Sequence, residues 1–369
     1  MERIDVWLAT GGTGGHIFPA LAIADALLAQ QPSLKLRFVG AHGGMETRLV
    51  PAAGYTLHTL PIRGLRRQKT LAALGTNLGV PLLALRSLWQ MRAWLRASGA
   101  RLVIGTGGYA SFPALAAARL TGTRYVLNEQ NAYPGLVNRW FARRAKAVYL
   151  GNAAAAGYLP GAPTRVLGNP IRPELLRATD PTYRAEARHA LGVGDKPTLL
   201  VVGGSLGAGR LNAALVAHQA ALADAHVNVL WQCGRRNYDS LLPEVTARNI
   251  RLLPFIDDMA QAYAAADVVV CRAGALTLAE LAALGKPAIL VPSPNVAEDH
   301  QTANARSFAD LGAAWLVPDA DALDALVPKA IALLHDTATQ HALADRCRTL
   351  GAPHAAQAIA TDILTRVLA

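Results

Sequence analysis

The 369-residue sequence predicts an α/β protein built as two Rossmann-like, doubly wound parallel-sheet domains. Three observations carry that expectation. Apolar runs of strand length alternate with Ala/Leu-rich helical patterns along the chain, the βαβ rhythm of parallel sheets covered on both faces. The chain is long for one core, and its 52% hydrophobic and 17% charged content suits a large folded interior. The opening plan "DVWLATGGTGGHIFPALAIA" also recurs near the middle as "TLLVVGGSLGAGRLNAAL": strand, glycine-rich turn, helix.

In the first half "IDVWLAT", "KLRFVGA", "RLVIGTG", "RYVLNEQ" and "AVYLGN" read as strands. In the second, "TLLVVGG", "VNVLWQC", "IRLLPFI", "DVVVCRA" and "PAILVPS" do the same. The stretch "LGNPIRPELLRATDPTYR" (167–184) holds three prolines and breaks the rhythm, which places the junction there: one domain over 1–170, a second from 171. Each domain carries a glycine loop at a strand's carboxyl end, where ligands bind in such sheets, so two domains facing each other would share one cleft. "RAGALTLAELAALGKP" (272–287) reads as a helix with Gly285 as its C-cap.

Glycines at a strand-to-helix turn let a ligand approach the backbone, and the free N–H groups of the next helix favour an anion. Two equivalent loops, with "GTGGYASFPAL" (105–115) as a third glycine-rich turn, point to phosphate-bearing ligands. A dinucleotide site wants an acid about 20 positions beyond the glycines. Neither "LKLRFVGAHGG" nor "VNVLWQCGRR" supplies one, and no GxxxxGK[ST] occurs. "GGSLG" (203–207) fits a hydrolase nucleophile elbow, with Asp267 and His300 following in triad order, but that reading leaves the first loop unexplained.

Charge is unevenly placed. Residues 1–170 carry a net +14 and residues 171–369 a net −3, and no acid lies between Glu46 and Glu129. Such a field favours an anionic partner: nucleic acid, a membrane surface or a phosphate-bearing ligand. Cys233, Cys271 and Cys347 show no paired spacing, so neither a disulfide framework nor a zinc site is suggested and a reducing compartment fits. The first residues run straight into a strand without a leader pattern.

Seven stretches taken together, in this order, resemble the MurG family: "GGTGGHIFPALAIA", "GTGGYASFPALAAA", "NEQNAYPGLVNR", "GNPIR", "GGSLGAGRLN", "PFIDDMAQAYAAADVVVCRAGALTLAELAALGKPAILVP" and "DHQTANA". These are the UDP-N-acetylglucosamine transferases that complete the lipid-linked peptidoglycan precursor. The resemblance implies the GT-B architecture, with the donor domain over 171–352 and a C-terminal helix, about 353–369, packed back on the first domain. It implies inverting transfer of N-acetylglucosamine from UDP to the C4 hydroxyl of the muramoyl sugar of undecaprenyl-diphosphate-muramoyl-pentapeptide (lipid I to lipid II). The same resemblance implies a peripheral enzyme on the cytoplasmic face of the bacterial inner membrane. Its partners would be UDP-GlcNAc, lipid I, anionic lipid and other cell-wall synthesis proteins, and not nucleic acid.

By the same resemblance Thr13, Gly14 and Gly15 lie under the reacting diphosphates, and His16 is the candidate general base. A neutral imidazole suits that role. Tyr109, Glu129 and Asn131 line the cleft, with Tyr109 and Glu129 beside the chemistry. Asn128 stands where the family usually has histidine and receives no catalytic role. Arg172 contacts the donor, as a bidentate guanidinium suits a diphosphate. Ser205 and its neighbouring N–H groups hold a donor phosphate, and Asn212 and Arg272 are further polar positions near it. Ala275, Leu276, Thr277, Leu278 and Ala279 form a helix start aimed at phosphate, and Glu280 accepts from both ribose hydroxyls. The backbone of Ile256 reads the uracil edge. Gln301 contacts the sugar, with His300 before it. No metal or other cofactor is implied, because N–H groups, helix dipoles and Arg172 can stabilise the leaving diphosphate.

A lipid-linked acceptor requires a membrane-facing surface. In "IRGLRRQKTLAALGTNLGVPLLALRSLWQMRAWLRA" (62–97), Leu71, Leu74, Leu78, Leu82, Leu85 and Trp89 recur at helical spacing. Arg63, Arg66, Arg67 and Lys69 flank them, with Arg86, Arg92 and Arg96 beyond. The uncharged run is too short to span a bilayer. The expectation is a mixed stripe, part packed inward and part at the lipid interface with its basic rim on anionic headgroups.

Overall fold

The computed structural model describes residues 3–64, 77–204, 207–296 and 299–369. The chain divides into two compact units, one of Met1–Ile171 with His354–Ala369 and one of Arg172–Pro353. Ser205, Arg66, Arg67, Lys69, Leu71 and Leu74 lie outside the described residues.

The first unit holds strands β1 (Val6–Ala9), β2 (Leu36–Ala41), β3 (Leu57–Leu60), β4 (Leu102–Gly105), β5 (Arg124–Glu129), β6 (Val148–Leu150) and β7 (Thr164–Val166). They form one parallel sheet in the order β3-β2-β1-β4-β5-β6-β7. The second unit holds β8 (Thr198–Val202), β9 (Asn228–Gln232), β10 (Ile250–Leu253), β11 (Val268–Cys271), β12 (Ala288–Leu290) and β13 (Trp315–Leu316), again parallel, in the order β10-β9-β8-β11-β12-β13. The α/β, doubly wound expectation holds. In each unit the order reverses beside the first strand, and that switch point opens a crevice at the carboxyl ends.

All ten strands read from sequence are present, and β3, β7 and β13 are added. These three lie at or next to sheet edges, are two to four residues long and are only partly buried. They therefore lack the apolar run that marks a central strand.

Both faces of each sheet are covered. Val6 and Leu8 pack under the helix Gly14–Gln30, while Trp7 and Ala9 face Met91 and Leu95. The helix Ala355–Asp362 joins the first of these layers through Ile359 and Ala360. Gln30 donates to the Gln357 carbonyl at 3.0 Å, Tyr149 donates to Asp362 at 2.8 Å, and Arg165 pairs with Asp362. In the second unit Leu200 and Val269 face one layer, and Leu199, Val201 and Val270 the other.

The helix Val80–Ser98 turns Ser87, Met91, Leu95 and Ser98 inward. Leu78 is 79% exposed, Leu82 72%, Leu85 51% and Trp89 53%. The mixed stripe is thus corrected for its described members. The inward row is a different set of residues, and these four apolar side chains all face solvent. Among the described residues no helix is long and apolar enough to cross a membrane.

Candidate active site

In the first unit the loop after β1 wraps a buried carboxylate. Glu46, at the start of the helix Glu46–Ala52, accepts from the Ala41 N–H at 2.9 Å and the Gly12 N–H at 3.1 Å. Gly11 lies so close that a Cβ there would sit 2.1 Å from Glu46 Oε1, and its φ of +150° disfavours a side chain as well. The sequence reading passed over Glu46, since a lone acid five residues beyond a strand carries no signal of its own.

His16 sits in the first turn of Gly14–Gln30, after Thr13, Gly14 and Gly15. Its Nδ1 lies 3.1 Å from Gln130 Oε1, and its ring lies against Gly107, where a Cβ would come within 3.0 Å and φ is +99°. Tyr109 follows that turn, half-buried beside Gly12. Burial raises its phenol above the ordinary value, and the nearby Glu46 adds to this.

Glu129 is 1% exposed, and its carboxylate accepts from the loop after β5 and from the helix Leu136–Phe141 that follows it. Oε1 accepts from the Asn131 N–H at 3.0 Å and Asn131 Nδ2 at 3.2 Å; Oε2 accepts from the Gly135 N–H at 3.0 Å and Asn138 Nδ2 at 2.8 Å. This carboxylate organises the loop that carries Gln130 and Asn131. His16, Tyr109, Glu129 and Asn131 all stand at the carboxyl ends of β1, β4 and β5, the crevice side of the sheet.

The second unit repeats the loop with a neutral brace. Gln232, the last residue of β9, accepts from the Gly204 N–H at 3.1 Å and donates to the Gly204 carbonyl at 3.0 Å. Asn212 is buried, donating to the Cys233 carbonyl at 3.2 Å and accepting from Trp231 Nε1 at 3.1 Å. Both bonds hold the core rather than face a ligand. Arg272 donates to the carbonyls of Val291 and Pro292, and pairs with Asp319 at 2.5 Å.

The helix expected at 272–287 spans Ala275–Leu284, with Gly274 extended before it and Gly285 left-handed after it, φ +61°. Ala275, Leu276 and Thr277 form its first turn, which holds no acid; Leu278 is buried and Ala279 half-buried. Glu280, one turn in, has a side chain 15% exposed. Its Oε2 accepts from the Tyr263 hydroxyl at 2.9 Å, and Arg172 Nη2 stands 3.8 Å from Oε1. Burial pushes the Glu280 carboxyl above the usual range, while Arg172 and the Tyr263 bond pull it down. Ile256 follows β10 and packs on the core, beside a hollow of about 150 Å³ lined also by Leu253, Phe255 and Gln261. His300 opens the helix His300–Ala309, and Gln301 accepts from the Ser293 N–H at 2.8 Å.

The hydrolase alternative fails on topology. Asp267 precedes β11, at the amino ends of the strands, where it is bound by Arg184, Arg188 and the Thr198 N–H. The loop begun by Gly203 and Gly204 follows the opposite, carboxyl end of β8. A strand's length separates the two.

The chain resembles known proteins along nearly its whole length. The profile of the glycosyltransferase family 28 N-terminal domain matches residues 6–150, and that of the C-terminal domain matches 198–359. Two relatives bear the name UDP-N-acetylglucosamine--N-acetylmuramyl-(pentapeptide) pyrophosphoryl-undecaprenol N-acetylglucosamine transferase. That of Cytophaga hutchinsonii is 40% identical, covering 96% of this chain and 95% of its own, and that of Salinibacter ruber is 43% identical, covering 97% and 96%. The crystal structure of Acinetobacter baumannii MurG superposes with a TM-score of 0.76 at 32% identity, covering 99% of each chain. A Neisseria meningitidis UDP-GlcNAc 2-epimerase bound to UDP-GlcNAc, with a TM-score of 0.67 at 14% identity over 99% of this chain and 100% of its own, shares the fold alone. With both halves of the family pattern matched in order, the chain belongs to glycosyltransferase family 28.

Proposed function

We propose that this chain is the UDP-N-acetylglucosamine transferase that converts lipid I to lipid II in peptidoglycan synthesis. The observation that carries the reading is the 40–43% identity to transferases of that name across almost the full length of both chains. The acceptor is the C4 hydroxyl of the muramoyl sugar. It attacks the anomeric carbon as the bond to the UDP oxygen breaks on the opposite face, so configuration inverts. His16 takes the hydroxyl proton, with Tyr109, Asn131 and the Glu129-braced loop shaping the acceptor side.

The donor belongs to the second unit. Ile256 meets the uracil by its backbone, and Glu280 accepts from the ribose hydroxyls. Tyr263 and Arg172 support Glu280 in that role by keeping a buried carboxylate ionised and oriented. N–H groups at Ala275 to Thr277 and in the second glycine loop, with Ser205 and Arg172, hold the diphosphate, and Gln301 and His300 meet the sugar. Charge built up on the leaving diphosphate is stabilised by these donors without a metal. Thr13, Gly14 and Gly15 are assigned to the same diphosphate.

The exposed row Leu78, Leu82, Leu85 and Trp89, with Arg86 and Arg92 beside it, suits the interface of an anionic bilayer. We place the enzyme on the cytoplasmic face of the inner membrane. Incubation with radiolabelled UDP-N-acetylglucosamine and a lipid-linked muramoyl-pentapeptide acceptor tests the reading. Label appearing in the lipid fraction supports it; hydrolysis without transfer, or binding without turnover, overturns it.

A further inference from the structure

Gln130 is absent from every role so far, yet it touches His16. We propose that Gln130, locked by Asn128, is a positioning residue that fixes the tautomer of His16, leaving Nε2 as its basic nitrogen. The inference rests on the reading of His16 as the general base.

The orientation of the Gln130 amide follows from its surroundings. Its Nε2 faces three oxygens: the Thr106 carbonyl at 3.0 Å, the Asn128 carbonyl at 3.1 Å and Asn128 Oδ1 at 2.7 Å. None of the three carries a proton, so the end facing them is the NH₂ group. The Asn128 amide is fixed in turn, because its Nδ2 points to the Tyr149 carbonyl at 3.4 Å and leaves Oδ1 toward Gln130. The other end of Gln130 is therefore the oxygen, 3.1 Å from His16 Nδ1. An amide oxygen only accepts, so Nδ1 carries the proton. A neutral imidazole has one N–H, and the lone pair is then on Nε2.

The lock is rigid and dry. Asn128 is 0% and Gln130 2% exposed. Asn138 Nδ2 holds the Asn128 carbonyl at 3.3 Å, and Asn169 Nδ2 holds the Gln130 carbonyl at 2.9 Å. Turning the amide over would set its oxygen against three other oxygens in a buried site. The brace is also uncharged. It orients the ring without adding an anion beside the imidazolium that forms when the base takes its proton.

The decisive measurement is the tautomer in the full-length protein, read from the ring ¹⁵N shifts of histidine-labelled samples, with His16 assigned by its loss in His16→Ala. A proton on Nδ1 of the neutral ring is expected, moving toward Nε2 in Gln130→Leu. A proton on Nε2 in the unaltered protein would overturn the proposal with no variant needed. In turnover assays Gln130→Leu should lower kcat by about 10²-fold, the scale for a misoriented or wrong-tautomer base, and leave KM for UDP-GlcNAc unchanged. In the His16→Ala background the same change should have almost no effect on kcat, because Gln130 acts through His16. Equal losses in both backgrounds would make Gln130 merely structural and end the claim. If His16→Ala keeps full turnover, the base reading fails on its own, and the ¹⁵N shifts still decide the tautomer.

Discussion

The two units present the same loop in opposite electrostatic states. After β1 the Gly12 N–H is taken by the buried carboxylate of Glu46; after β8 the Gly204 N–H is taken by the neutral amide of Gln232, at the same 3.1 Å. Strand, glycine turn and helix are alike, and the brace comes in both cases from the neighbouring strand's end or just beyond. Only its charge differs. A loop braced by an amide can receive a diphosphate, whereas the carboxylate under the first loop weakens the pull of Thr13, Gly14 and Gly15 on the same group. Beside its loop the first unit carries His16, the proposed proton acceptor. On the proposed function, duplicate architecture divides the labour: proton transfer beside the negatively braced loop, and most of the anion binding on the other side.

The largest expected effect tests whether this division is real. His16→Ala should lower turnover by about 10²–10⁴-fold, the usual worth of a general base, while UDP affinity by calorimetry stays unchanged. A matching loss of UDP affinity would show that the first unit holds the donor as well, and the contrast would collapse. Next, Glu280→Ala should weaken UDP binding by roughly 1–3 kcal/mol, the range for a hydrogen bond to a charged group, with little change in stability of the first unit. Unchanged affinity in the folded variant would remove Glu280 from the donor site.

The brace itself can be inverted. Gln232→Glu places a carboxylate under the second loop and should weaken UDP by roughly 1–2 kcal/mol, the interaction of charges several ångströms apart near a protein surface. Its counterpart Glu46→Gln should leave UDP affinity alone and reduce thermal stability, because an amide NH₂ would face a backbone N–H. If both variants bind UDP equally well, brace charge does not set the difference between the units. The smallest effect concerns the helix Val80–Ser98. Replacing Leu78 and Leu82 by serine should change stability by less than about 0.5 kcal/mol, as is usual for exposed positions. Co-sedimentation with anionic vesicles should nevertheless fall. A large drop in melting temperature would show those leucines to be core.

The central strands, the paired glycine turns and the helix ending at Gly285 were legible because each is a local pattern. An apolar run buried on both faces, or a glycine at positive φ, leaves its mark in a few consecutive letters. The same holds for the candidate site, since "GGTGGH", "NEQN" and "RAGALTLAE" are contiguous stretches whose order identifies a family. Side-chain partners were not legible. Gln130 lies 114 positions from His16, and Gln232 lies 28 from Gly204. Sheet order brings these pairs together, and no spacing rule announces them. The row Leu78–Leu82–Leu85–Trp89 has the periodicity of a core face, yet it points outward while Met91 and Leu95 point inward. Periodicity reports that one side of a helix is apolar; which side meets the sheet depends on how the whole layer packs. The sequence by itself therefore determined the strands, the turns and the chemistry available at them. The tertiary structure alone decided which loop carries a charge, which side chain meets the His16 ring and which apolar row is left uncovered, because each of these depends on contacts between residues that only the folded sheets bring within reach.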